Sequence, residues 1–156
     1  MNALRSRAIR LLARREYTRV ELARKLAAHG TPEEIDAVIA SLEACHLQSD
    51  VRCAESHVRA HAGRLGLIRL RQGMRQRGLD DALIESQLAA AAASGDLPDE
   101  MARARDLWLR KFSAAPADAK EWARQARFLQ GRGFGSDIIR RLLKELPENP
   151  SGDRCA

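Results

Sequence analysis

Aromatic side chains are scarce in this sequence, at 4% of residues, and no stretch alternates β-branched with polar residues. Half-buried strands depend on that alternation, so a sheet protein is excluded. Proline is equally sparse: its five copies fall mostly between apolar-periodic segments, where they break no helix. Long hydrophobic runs are missing as well. The best candidate, "LAAAAASG" at 88–95, falls well short of the roughly 18 apolar residues that span a membrane, and the arginine-laced opening "MNALRSRAIRLL" lacks an apolar signal-peptide core. Cys45, Cys53 and Cys155 are odd in number and form no framework. The reading is a reduced, cytoplasmic protein with no membrane contact.

What is present is helical. Hydrophobic residues make up 45% of the chain, and Ala, Leu, Arg and Glu recur throughout its 156 residues, which favours an all-α protein. Leu4, Ala8, Leu11 and Leu12 share one helical face, and Val20, Ala23, Leu26 and Ala27 a second. Thr18 with Glu21 reads as a capping box opening that second helix, which should end at Gly30. "TPEE" then supplies a cap at Thr31, a proline at the first helical position and two carboxylates against the positive end of the dipole, ahead of Ile35, Val38, Ile39, Leu42 and Cys45. The same spacing predicts helices near 50–62, 66–77, 80–93, 98–112, 117–131 and 136–146.

These segments repeat in threes. With Thr31, Asp80 and Gly135 in register as caps, the core positions become Ile35, Ile39, Leu42; Ile84, Leu88, Ala91; and Ile139, Leu143, Leu146. Gly30, Gly78 and Gly133 precede the caps, each four residues after a bulky apolar side chain: Leu26, Met74 and Leu129. The predicted architecture is three tandem three-helix, helix-turn-helix-like repeats at 1–48, 49–95 and 96–147, in an elongated array, rod or crescent, with a flexible tail at 148–156. The glycines of "FLQGRGFGSDIIRRLL" therefore read as a turn, with Gly133 at a helix C-terminus. A dinucleotide loop would need a preceding strand, different glycine spacing and a distant acid.

Charge is uneven. The formal net charge is +6, and between Glu55 and Asp80 the chain carries Arg59, Arg64, Arg69, Arg71, Arg75 and Arg77 with no acid among them. Guanidinium forks bind phosphates and carboxylates through paired hydrogen bonds, so the missing counter-charge favours a binding face over a merely solvated one. Two further basic groups, from Arg5 to Arg15 and from Arg124 to Lys144, serve binding or solubility equally well. Sequence-specific groove reading is disfavoured, because the helix starts that would meet phosphates carry Glu33, Glu34, Asp80, Asp81 and Asp137.

Other chemistry is thin. Cys53, His57 and His61 stand four apart but lack a fourth ligand, so core packing is preferred to metal. Trp108 and Trp122 each continue an apolar stripe and are expected to pack the third repeat rather than stack bases. Neither paired carboxylates nor a nucleophile with a histidine partner emerges, so no enzyme and no cofactor is expected.

"REYTRVELARKLAAHG", "SDVRCAESHVRAHAGRLGLIRLRQGMRQRGL" and "FLQGRGFGSDIIRRLL" together resemble the RecX family, over about residues 4–146. The features that carry the likeness are Tyr17, Glu21, Leu22, Lys25 and Leu26; Asp50, Arg52, Ala54, Val58, Arg69, Arg77 and Gly78; and Gly133, Phe134 and Ile138. Cys53, where the family usually has an aromatic, and "LQSD", where a more acidic stretch is common, depart from it. The resemblance implies a monomeric regulator of the RecA recombinase that lies in the groove of the RecA–DNA filament, restrains its extension, and lowers ATPase and strand-exchange activity. Together with the charge pattern, the resemblance gives as contact residues Lys25, Arg59, Arg64, Arg69, Arg71, Arg75, Arg77, Arg132, Arg140 and Lys144, with single- or double-stranded DNA touched non-specifically. The competing expectation is an architectural helical-repeat protein that binds DNA without RecA.

Overall fold

The structure is a computed structural model and describes residues 2–146. Among these the chain forms helices and no strands: α1 (Asn2–Leu12), α2 (Arg19–Leu26), α3 (Pro32–Ala44), α4 (Asp50–His61), α5 (Leu67–Gln76), α6 (Asp81–Ser94), α7 (Glu100–Lys111), α8 (Ala119–Gly131) and α9 (Ser136–Glu145). The expected tail at 148–156, with Cys155, lies outside the described residues.

Side chains adjacent in sequence set the helix starts. Thr18 and Thr31 each close a reciprocal capping box, with Glu21 and Glu34 respectively, and Pro32 opens α3 where its missing N–H costs nothing. The Asp80 carboxylate accepts from Leu83 N–H at 2.8 Å, Asp99 caps α7 and Asp118 caps α8. Helix ends are equally local. At Gly78 and Gly133 φ is +85° and +90°, and the paired bonds Leu79 N–H to Met74 O and Phe134 N–H to Leu129 O close Schellman turns. His46 takes the same left-handed position after α3, at φ +58°.

The repeat register describes the core. Leu26, Met74 and Leu129 are fully buried, as are Leu42 and Ile84, and of the register positions only Ala91 and Leu146 are partly exposed. Contacts divide the chain into two units. One comprises the chain up to Val58 with Gln72–Ala91, the other Arg59–Arg71 with the chain from Ala92 onward. In the first unit α1, α2 and α3 enclose Leu4, Ala8, Tyr17, Leu22, Leu26, Ile35, Val38, Ile39 and Leu42. In the second, α7, α8 and α9 enclose Met101, Ala104, Leu107, Trp108, Phe112, Leu129, Phe134, Ile139, Leu142 and Leu143.

Three local expectations change. Helix α2 stops at Leu26 rather than Gly30, and Gly30 is not left-handed: a Cβ there would stand 3.0 Å from Leu4 Cδ2, so it serves close approach to α1. Cys45 is exposed, because α3 ends at Ala44 and the turn through His46 takes it off the buried stripe. Trp108 is buried, its Nε1–H donating to Gln125 Oε1 at 2.7 Å, whereas Trp122 remains 39% exposed at the rim of α8.

Candidate functional site

Lys25, Arg75 and Arg77 belong to the first unit, and the remaining candidate contact residues to the second. In the first unit the acids absent from the local sequence arrive from elsewhere in the chain. Arg77 donates through Nε to Glu21 Oε1 at 3.0 Å and through Nη2 to Glu21 Oε2 at 3.1 Å and to Glu16 O at 3.2 Å. Its own carbonyl accepts from Thr18 Oγ1 at 2.5 Å. The C-terminus of α5 is thereby latched to the capping box of α2, and a Cβ on the neighbouring Gly78 would fall 2.5 Å from Val20 Cβ.

The Glu21 carboxyl is partly desolvated, which alone would raise its pKa, yet hydrogen bonds from Arg77 and the Thr18 N–H and nearby guanidinium charge hold it below the ordinary range. The same hydrogen bond with Glu21 raises Arg77. Arg75 is exposed and pairs with Asp81 at 2.6 Å, while Lys25 is exposed on the last turn of α2. A second ion network joins this unit: Arg19 reaches Glu43 at 2.7 Å and also Asp36, its backbone N–H donates to Asp50, and Arg52 pairs with Glu16.

In the second unit the glycine-rich turn between α8 and α9 meets the start of α5. Gly66 N–H donates to Arg132 O at 2.7 Å and Ile68 N–H to Gly133 O at 3.1 Å, while Glu100 Oε1 takes the intervening Leu67 N–H at 3.0 Å. Three donors at the start of α5, Gly66, Leu67 and Ile68, are thus occupied within the fold, which disfavours a phosphate cradle there. A Cβ on Gly133 would meet Arg69 Cγ at 2.3 Å and Arg69 N at 2.6 Å, so Arg69 and Arg132 are brought together. Both are exposed, as are Arg59, Arg64, Arg140 and Lys144; Arg71 is half-buried. Among the described residues no carboxylate pairs with Arg69, Arg132, Arg140 or Lys144. Arg132 lies over the Phe128 ring, 5.4 Å from its centroid, and Arg64 donates to Ala60 O.

The remaining motifs resolve as packing. Cys53 is fully buried, and burial pushes its thiol up to about 11, which opposes thiolate ligation; among the described residues no cluster of His, Cys, Asp or Glu is placed to hold a metal. Arg103, which its position beside the α7 stripe does not single out, is buried and donates to the carbonyls of Ala62, Leu65 and Pro98; burial lowers its pKa. Ile68 is not singled out by the sequence reading; its signal is that it lies off the Leu67, Leu70, Met74 stripe, and it is 55% exposed.

Comparison with known proteins follows the same threefold order. The first three-helix domain of RecX matches residues 5–42, the second 49–88 and the third 98–143. The chain is 44% identical over 143 residues to a regulatory protein RecX of Leptothrix cholodnii, covering 91% of this chain and 88% of that one. It is 44% identical over 142 residues to a regulatory protein RecX of Chromobacterium violaceum, covering 90% and 89%. The crystal structure of RecX from Lactobacillus salivarius superposes with a TM-score of 0.76 over 93% of this chain and 95% of that one, at 21% identity, a likeness of fold.

Proposed function

The chain belongs to the RecX family of regulatory proteins, and from that premise we propose that it modulates the RecA recombinase by seating in the groove of the RecA–DNA filament. There it limits extension of the filament and lowers ATPase and strand-exchange activity. The observation that carries this reading is the succession of all three RecX domains in one chain. We take the repeats as 1–48, 49–95 and 96–147 and the acting species as a monomer. Modest contacts linked in series raise effective concentration for one another, so avidity substitutes for a single deep pocket.

The exposed cations Arg59, Arg64, Arg69, Arg132, Arg140 and Lys144 support a polyanionic partner. Arg77 is reassigned within the proposal as a latch, because its guanidinium is committed to Glu21. The test is the ATPase of RecA on saturated single-stranded DNA, followed before and after addition of this protein. A progressive decline is expected, and a flat trace overturns the reading. Binding to bare duplex as tight as to the filament would favour the architectural alternative, with a log–log salt slope of about −5 for about six neutralised phosphates.

A further inference from the structure

Within the second unit, the first turn of α5, the length of α8 and the start of α9 enclose a groove of about 450 Å³, inside the range of roughly 300–1,000 Å³ of ligand-holding clefts. Ile68, Trp122, Gln130, Phe134, Ile139 and Arg140 line it. Ile68 and Trp122 are large apolar side chains left in water, 55% and 39% exposed, although other residues of the same helices, Leu70 on α5 and Leu129 on α8, are fully buried. None of the lining residues is acidic. Arg140 forms part of the wall and Arg69 follows Ile68 in the chain, whereas the Arg132 guanidinium lies over the Phe128 ring, outside the lining. The acids beside this rim are Asp137, exposed in the first turn of α9, and Glu121, which precedes Trp122 and is paired with Arg124 at 2.9 Å.

We propose that this groove docks an acidic protein segment carrying a bulky apolar side chain, which seats between Ile68 and Trp122 while its carboxylates meet Arg140 in the wall and Arg69 beside Ile68. Charge complementarity selects the acid: the cations at this rim lack carboxylate partners among the described residues, and guanidinium groups pair with carboxylates bidentately. The apolar wall, in which the Phe134 ring is itself buried, selects a side chain over a nucleobase. A base would find one stacking face at Trp122, but its polar edges would give up water against Ile68, Phe134 and Ile139 with few groups to replace it. The inference rests on the filament reading only in taking the protein component of the filament as the source of the segment.

The test uses the full chain and three labelled probes in fluorescence anisotropy: a short glutamate-rich peptide with a central Leu-Phe pair, the same peptide with both replaced by Ser, and oligo(dT). The apolar acidic peptide should bind and shift the emission of exposed Trp122 to the blue, with Trp108 already buried. The serine peptide should bind about tenfold more weakly or worse, and Ile68→Asp should cost the Leu-Phe peptide a similar factor. Because Ile68 is exposed, helicity and melting should be retained, and Trp122→Ala provides a second variant of the opposite wall. Equal binding of the two peptides, unchanged affinity in both variants, or oligo(dT) bound in preference through Trp122 would overturn the proposal. RecA inhibition without peptide binding sinks the groove alone; peptide binding with a flat ATPase trace sinks the filament reading alone.

Discussion

Gly131 and Gly133 stand two residues apart and have opposite tolerances. Nothing lies within 4 Å of a Cβ at Gly131, in the last turn of α8, so Gly131→Ala should raise stability by up to about 1 kcal/mol through the lower entropy of the unfolded chain. At Gly133, φ is +90° and a Cβ would collide with the backbone and side chain of Arg69. Gly133→Ala should therefore cost about 2 kcal/mol or more, and thermal melting of the two variants should move in opposite directions. Glu21 gives a prediction in pH. Its carboxyl is held below the unfolded value of about 4.3, so its contribution to stability is complete above that value and is lost as pH falls through the lower folded pKa. Acid titrations followed by circular dichroism should show Glu21→Gln with a shallower loss of stability below about pH 4.5 than the parent.

Helix α2 shows how an element is both locally specified and remotely fixed. Its start is written in adjacent residues, since Thr18 and Glu21 close a reciprocal capping box across its first turn; the starts of α3, α6 and α8 are equally explicit, which is why the nine described helices and their register were legible in sequence. The latch was not. Glu21 is 56 residues from Arg77, and an acid-free stretch in the sequence became, in space, a stretch whose Arg75 and Arg77 are both paired. Trp122 and Cys45 misled for a related reason: a stripe fixes which side a residue shares, but the end of the helix or the edge of the bundle decides whether anything covers it. Removing Arg77 takes both guanidinium hydrogen bonds from the part-buried Glu21 carboxylate, which keeps only the Thr18 N–H at 2.9 Å and the more distant Arg15 at 3.6 Å. Arg77→Ala should cost about 1–3 kcal/mol, and a double-mutant cycle with Glu21→Gln should return a coupling well above the few tenths typical of exposed pairs. Chemical denaturation checks it; a coupling near zero would return Arg77 to the set of free surface cations.

Across the whole molecule, the net charge of +6 is distributed between cations already compensated within the fold and cations that are not, and only the second kind adds fully to attraction for a polyanionic filament. Arg75 sits 2.6 Å from Asp81, so at distances beyond about 10 Å the pair presents no net charge in ordinary salt. Arg69 and Arg132 have no such carboxylate among the described residues, and the hydrogen bonds of Gly66 and Ile68 to the turn hold them on one surface. Arg75→Ala should therefore change filament affinity by about twofold or less. Arg69→Ala with Arg132→Ala should weaken it by about tenfold or more and, if both meet phosphates, reduce the magnitude of the salt slope by about two. A loss of affinity with the slope unchanged would instead place these arginines against carboxylates of the protein component, the same chemistry inferred for the neighbouring groove. Equal effects from Arg75 and from the Arg69–Arg132 pair would mean that total charge, not its compensation within the fold, governs binding.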